Sequence, residues 1–369
     1  MGDDRRDMYA SSGVDYDHLD RTKREAVAAA RATSALAALR GVTIDDASRG
    51  ESALVLTVGG TTLSFVVEGL GTKSLIAVAY ERATGVGRFD SIAYDAVAAI
   101  ANDLICVGAL PAVVNAYFAT GDSGWYAQER RLGQLIDGWE RACRDCGAAW
   151  GGGESPNLPG LVAADGIELA GSAIGVLPAG AHPILGRELA VGDEIVLVES
   201  SGLHANGASL ARMLASRLPG GWETPLPSGR AFGDALLDPS VQYTRLVAAL
   251  LERSVPVTYL SHITGHGLRK LMRPDRDLGY VVDALPPVPE VLSFMVDQLG
   301  MEPAEAYGTL NMGAGFAVTV RPGAGEDVVA AARDCGLSSI VGGRVEPGPR
   351  RVVLRPLGVT FTSDELSVR

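Results

Sequence analysis

The chain has 369 residues, 47% of them hydrophobic and 21% charged, with a net charge of -12 from 44 acidic against 32 basic positions. At about 150 residues per domain this length predicts two domains, and the balance of apolar and charged residues excludes a disordered chain. The scattered acidic excess excludes a basic nucleic-acid-binding face, and no run approaches the ~20 apolar residues of a membrane-spanning helix.

The start, Met1-Gly2-Asp3-Asp4-Arg5-Arg6, has no apolar segment behind it, so a soluble, cytoplasmic protein is expected. Arg24 to Leu39 is Ala-rich and reads as a surface helix. Leu54 to Val58 and Thr61 to Val67 are β-rich runs joined by Gly59-Gly60, which predicts a hairpin with a two-residue turn. A glycine loop, Gly69 to Thr72, follows the second strand. Ser91 to Val107 reads as a helix, Ala112 to Phe118 as a strand, Trp125 to Cys146 as a long helix and Ile167 to Leu177 as an apolar strand. The four cysteines, Cys106, Cys143, Cys146 and Cys335, are too few for a disulfide framework and fit a reducing compartment. Cys143 and Cys146 form a C-x-x-C late in a helix with no second ligand pair nearby, so they read as structural.

Pro178 to Val191, rich in proline and glycine, marks the expected boundary between a first domain, 1–177, and a second, 178–369. The second contains a strand at Glu194 to Val198, a helix at Asn206 to Arg217, a polar loop to about Gly233 and a helix at Val241 to Glu252. A glycine turn follows at Thr264 to Gly267, then strands near Phe316 to Val320 and Val352 to Leu354. That order is α+β rather than a regular βαβ repeat.

Several segments have residues suited to chemistry. In Glu68-Gly69-Leu70-Gly71-Thr72-Lys73 two glycines let a backbone approach phosphate oxygens, Lys73 offers a positive charge, and Glu68 or Thr72 offers oxygen to a divalent cation. Taken alone, a tight turn explains the same residues. In the helix, Asp95 and Asn102 are seven apart and share a face, with Asp103 a quarter turn round; a helix-end carboxylate and a solvent-facing one are the plain alternative. Gly151-Gly152-Gly153-Glu154 pairs a pliable backbone with one carboxylate, which a flexible loop also explains. Ser201-Gly202-Leu203-His204-Ala205-Asn206-Gly207 precedes a helix with Asn206 as a candidate N-cap, and His204 can bind an anion, move a proton, or simply be buried. His262 to Gly267 and Asn311 to Gly315 are further glycine turns.

In order and spacing these segments resemble the phosphoribosylformylglycinamidine cyclo-ligase (aminoimidazole ribonucleotide synthetase) family. Tyr9 with Ser12-Gly13-Val14-Asp15 is similar to the family's Y-x-x-x-GVD, Glu68 to Lys73 to DGVGTK, and Asn102-Asp103-Leu104 to VNDL. Gly108-Ala109 with Pro111 resembles QGAEP, Tyr117 to Gly121 resembles YYATG, and Gly152-Gly153-Glu154 with Pro159-Gly160 resembles GGETAEMPG. Ser201 to Gly207 is similar to SGPHSNG, His262 to Gly267 to HLTGGG, and Asn311 to Gly315 to NxGVG. The likeness is colinear over almost the whole chain.

The resemblance implies a two-domain α+β subunit, with mixed and antiparallel sheets and helices packed on them, a homodimer, and binding of ATP and Mg2+. In the family reaction ATP phosphorylates the formyl oxygen of formylglycinamidine ribonucleotide, and the amidine nitrogen then attacks the activated carbon. The imidazole closes with release of ADP and phosphate. By position, Glu68, Asp95 and Glu154 are implied metal ligands. Gly69, Gly71, Thr72, Lys73, Asn102, Asp103, Gly152 and Gly153 are implied to hold the nucleotide, and His204, Asn206, Lys73 and Asp95 to act in catalysis.

The sequence departs from the family at several of these points. Glu68 stands for an aspartate, Ser155-Pro156-Asn157 for TAE, Ala10 for a lysine, His266 for a glycine, and Arg269 to Arg273 for WENIPR. These leave ATP chemistry in place and put the acceptor in question. A small-molecule kinase of the superfamily, such as thiamine-monophosphate kinase or selenophosphate synthetase, is the rival. The selenium enzyme requires a reactive cysteine near its start, and none precedes Cys106; the hydrogenase-maturation relative requires a C-terminal one, where this chain has Ser367-Val368-Arg369. A catalytically weak nucleotide-binding paralogue acting through a partner is the third reading.

Overall fold

A computed structural model describes residues 16–366. The motif at Tyr9 to Asp15 and the terminus Ser367 to Arg369 lie outside the described residues. Among these residues, strands form two sheets: one of six strands in the order Val42–Ile44 (β1), Leu54–Val58 (β2), Thr61–Gly69 (β3), Ile167–Val176 (β6), Leu110–Thr120 (β4) and Ala149–Glu154 (β5), and one of seven in the order Val359–Thr362 (β13), Arg351–Leu354 (β12), Leu278–Val282 (β9), Ser339–Pro347 (β11), Glu194–Glu199 (β7), Ala314–Val320 (β10) and Val257–His262 (β8). All pairings are antiparallel except β4 with β5 and β12 with β9.

The N-terminal helix is broken at Thr33, giving α1 (Tyr16–Ala32) and the short α2 (Ser34–Ala38) where one helix is expected. Strand β1 (Val42–Ile44) lies beside the hairpin β2 (Leu54–Val58) and β3 (Thr61–Gly69). Gly59 and Gly60 turn it with φ of 55° and 85°, the mirror-image turn that matches strand twist. Along β3 Ser64 and Val66 are buried while Phe65 and Val67 face outward, the period of two of a sheet with one covered face. Helix α3 (Lys73–Thr84) opens directly after the glycine loop and was not foreseen, because its apolar residues form one unbroken run, Leu75 to Tyr80, without a clear stripe.

Helix α4 (Phe89–Ile105) buries nearly its whole length against the inner face of this sheet and against α5 (Glu129–Cys146). Close approach needs glycine: a Cβ at Gly138 would stand 2.2 Å from the Asp90 carbonyl oxygen. The expected helix start at Trp125 is instead a 3-10 turn, Ser123–Trp125, and α5 begins at Glu129. Strand β4 (Leu110–Thr120) is the sheet's longest, flanked by β6 (Ile167–Val176) and by β5 (Ala149–Glu154).

The second sheet is more deeply buried. β7 (Glu194–Glu199) and β10 (Ala314–Val320) are covered on both faces and read as continuous apolar runs. Helix α6 (Ala208–Arg217) starts after Gly207, whose φ of 92° makes it the N-cap position in place of Asn206. Then come α7 (Phe232–Leu236), α8 (Thr244–Glu252), β8 (Val257–His262), β9 (Leu278–Val282), α9 (Glu290–Leu299) and α10 (Pro303–Thr309). α11 (Gly325–Asp334), β11 (Ser339–Pro347), β12 (Arg351–Leu354) and β13 (Val359–Thr362) complete it. No helix among the described residues is long and apolar enough to cross a membrane.

Candidate active site

A cleft of about 270 Å³ opens where the end of β3 and the inner side of α4 meet the loop before α6, the end of β8 and the 3-10 turn Gly267–Met272. Glu68, Gly69, Asp103, Asn206, His262, Thr264, Lys270 and Arg273 line it. Glu68 lies on the sheet's inner face, since its partner Gly171 is buried there. It meets Asp103 from α4, and two carboxyls so close cannot both ionise cheaply. Burial, then the Asp103 charge, pushes the Glu68 carboxyl up to about 8. Burial also opposes ionisation of Asp103, but the hydrogen bond from His262, with the charges of Lys270 and Arg273, holds it at about 2.

His262 Nδ1 donates to Asp103 Oδ1 at 2.6 Å, and burial outweighs that carboxylate to hold the ring below its usual range. With its proton on Nδ1, Nε2 is the acceptor. Lys270 donates to Thr264 Oγ1, and burial, with Arg273 beside it, pushes its ammonium down to about 8. Arg273 reaches Ser52 Oγ at 2.6 Å. The cleft therefore joins the Glu68 carboxyl and the Asp103 carboxylate, a neutral imidazole and two cationic side chains. His262 stood in the sequence only within a glycine turn, and Lys270 and Arg273 only within the basic segment Arg269 to Arg273, none with a site role; the Asp103–His262 bond spans 159 positions, beyond any spacing argument.

Of the residues expected here, Glu68, Gly69, Asp103 and Asn206 line the cleft, and the others lie elsewhere. Lys73 Nζ sits 2.5 Å from Asp95 Oδ2 with both side chains sealed from solvent. Asp95 Oδ1 accepts from Ser240 N at 2.6 Å, so both its oxygens are engaged within the chain. Asn102 binds Val241 O and accepts from Tyr243 N, clamping α4 to the segment before α8 rather than facing the cleft. The Gly71 N–H is taken by Glu168 Oε1 at 3.2 Å, and Thr72 Oγ1 is 3.1 Å from Ser209 Oγ.

His204 is 3% exposed, and its Nε2 accepts from Ser201 N and Val241 N. Burial, then His262 and Lys73, holds its pKa well below the usual value, which makes it a neutral fixed acceptor and not a proton donor at the cleft. Gly152 and Gly153 belong to edge strand β5 and not to a wrapping loop. A Cβ at Gly153 would stand 2.1 Å from Ala116 O, so glycine serves the parallel pairing with β4.

Glu154 pairs with Tyr117, and Tyr117 with Ala170, which lies opposite Gly69. It is thus three strands away, about 14 Å at ~4.8 Å per strand, and on the outer face. One metal centre from Glu68, Asp95 and Glu154 is therefore not formed within a chain, and no cluster of three or more metal-ligating side chains occurs among the described residues. Glu68 and Asp103 do fit Mg2+, which commonly takes one or two protein carboxylates and completes its shell with water and substrate phosphates.

Residues 50–177 match the N-terminal domain, and residues 190–355 the C-terminal domain, of AIR synthase related protein. The chain belongs to this family. Among curated relatives, the phosphoribosylformylglycinamidine cyclo-ligase of Methanothermobacter thermautotrophicus is 31% identical over 92% of both chains. The enzyme of that name from an Anaeromyxobacter species is 35% identical over 92% of this chain and 96% of its own. As a member of this family the protein is an ATP-dependent ligase. In fold it is similar to the hydrogenase maturation protein HypE in complex with ATP, with a TM-score of 0.58 and 17% identity over 81% of this chain and 83% of that one. It is also similar to AaThiL complexed with AMPPCP and TMP, with a TM-score of 0.57 and 15% identity over 84% and 89%.

Proposed function

We propose that this enzyme closes the imidazole ring of formylglycinamidine ribonucleotide, or of a closely related amidine, with ATP hydrolysed to ADP and phosphate. The cleft between residues 1–177 and 178–369, our two domains, is its catalytic face. The observation that carries the reading is the Glu68–Asp103 pair beside a neutral His262 and the cationic Lys270 and Arg273. Glu68 and Asp103 would hold Mg2+, which would supply screening of the polyphosphate charge there. Lys270 and Arg273 offset the charge that develops on the transferring phosphoryl group. His262, oriented by Asp103, takes the proton that the amidine nitrogen loses as it attacks the phosphorylated formyl carbon. Phosphate then leaves with the former formyl oxygen. Asn206 and the Gly69 backbone position the substrate so that its two ends meet, which makes closure effectively unimolecular.

The cleft is at the small end of ligand pockets, ~300–1,000 Å³, too small for a nucleoside triphosphate together with a ribonucleotide. The outer face of the first sheet leaves Phe65 40%, Val67 63% and Ile174 44% exposed. We assign that face to a second copy of the chain, which enlarges the site and brings carboxylates such as Glu154 and Glu168 toward it. The protein works in the cytoplasm on a small phosphorylated substrate.

One observation favours a second reading, phosphoryl transfer to another acceptor: Arg269 to Arg273 makes this wall basic where the family resemblance has WENIPR. Purified enzyme given ATP, Mg2+ and formylglycinamidine ribonucleotide should yield ADP and an imidazole in equal amounts. ADP with a phosphorylated acceptor and no imidazole would establish the second reading instead.

A further inference from the structure

Part of the cleft wall comes from far along the chain. After β13 the backbone makes the 3-10 turn Ser363–Glu365, and the next residue, Leu366, is 1% exposed and lines the cleft. The turn is written locally: in Thr362-Ser363-Asp364-Glu365 the Glu365 carboxylate accepts from Thr362 N at 2.8 Å, and the Thr362 side chain caps the Glu365 backbone in return. A single turn gains little from its own hydrogen bonds, and two arginines hold this one from outside.

Arg350 donates to Ser363 O at 3.0 Å and to Leu366 O at 2.9 Å, and Arg269 donates to Glu365 O at 3.3 Å. Arg269 is itself fixed, by a bond to Gly308 O at 3.1 Å and by a guanidinium 5.8 Å from the centre of the Phe361 ring on β13. Three carbonyls of four consecutive residues thus end on charged donors, the stronger kind of hydrogen bond. Arg269 and Lys270 are neighbours on the turn Gly267–Met272, yet Lys270 lines the cleft while Arg269 faces this strap. The segment that departs from the family pattern therefore builds the wall as well as charging it.

Leu366 differs in chemistry from what surrounds it. His262, Thr264, His266, Lys270 and Arg273 give this side of the cleft a polar lining, and Leu366 adds a large apolar side chain. Such a group is suited to carbon and not to charge. In a cleft of about 270 Å³, a molecule that gives His262 a proton also lies against Leu366. We infer that Leu366 is a binding residue for the acceptor, packing on the uncharged carbon face of the amidine, and that Arg269 and Arg350 are the positioning residues that keep it there. This rests on the ring-closing function proposed above.

The test joins steady-state kinetics of the intact enzyme, with ATP, Mg2+ and formylglycinamidine ribonucleotide, to hydrogen exchange. Leu366→Ala should raise KM for the ribonucleotide about tenfold, the scale of one aliphatic contact, lower kcat by less than that, and leave KM for ATP unchanged. Leu366→Met should restore the wild-type value. Arg269→Ala should raise the same KM and speed amide exchange in residues 363–366. In the wild type, saturating ribonucleotide should slow exchange of those amides, a readout that needs no variant to fold. Equal ribonucleotide KM in wild type and folded Leu366→Ala, a parallel rise in both KM values, or exchange indifferent to the ribonucleotide would overturn the inference, while imidazole formation keeps the proposed function standing. A wild type that forms no imidazole would sink both.

Discussion

Lys73 and Asp95 are both sealed from water and 2.5 Å apart, so each charge depends on the other. Breaking a buried pair from one side strands the remaining charge, at a cost of ~3–5 kcal/mol. Asp95→Asn should therefore lower unfolding stability in urea by about that amount, with little effect on the affinity of folded protein for nucleotide. A variant that is as stable as wild type and loses nucleotide binding would return Asp95 to the metal site. Glu68 makes a pH prediction. Its folded pKa of about 8 lies above the unfolded value of 4.5, so its contribution to stability is complete below pH 4.5 and is lost as pH rises through 8. Asp103, at about 2 against 3.8, loses its contribution only as pH falls below 3.8. Unfolding stability of Glu68→Gln should thus decline less than wild type between pH 5 and 9; parallel curves would contradict the raised carboxyl. The sequence made Glu68 and Asp103 legible because both sit in colinear motifs. It hid the partners: nothing in the local pattern distinguishes Asp95, whose bonds point into the protein, from a carboxylate facing a ligand.

At the scale of elements, packing between α4 and α5 rests on a missing side chain. Gly138→Ala would place a Cβ 2.2 Å from Asp90 O, against backbone that cannot swing aside. It should destabilise by ~1–3 kcal/mol, as overpacking does. Gly133→Ala on the same helix meets nothing within 4 Å and should stabilise by up to ~1 kcal/mol through helix propensity. Thermal melting of the two variants should move in opposite directions; movement in the same direction would refute the packing account. The β2–β3 hairpin was legible because its turn chemistry is local. The strand β5 was not, since three consecutive glycines carry no β signal and are held only by pairing with β4. Strands β8 and β9 escaped for a related reason: they are buried by partners distant in sequence, and short apolar runs do not declare their period, while β11 is interrupted by Gly342-Gly343 and carries Arg344 and Glu346.

For the whole molecule, the α+β class was readable from element order and the mixed and antiparallel sheets from the family resemblance, while the division into a six-stranded and a seven-stranded sheet was not. The meeting of Glu68 with His262 depends on how the two halves pack and was not. The exposed outer face gives a test of assembly. Val67→Asp with Ile174→Asp places charge on that face outside the cleft, and sedimentation should show a dimer for wild type and a monomer for the variant. A monomeric wild type would remove the proposed role of the second copy. The central claim is that Asp103, between Glu68 and His262, organises ATP-dependent ring closure. It is tested most directly by kcat/KM for imidazole formation from formylglycinamidine ribonucleotide in wild type and Asp103→Asn. We predict turnover by the wild type and a loss of at least about a hundredfold in the folded variant, the scale of removing one preorganised electrostatic group. Equal activity of the two proteins would contradict the account.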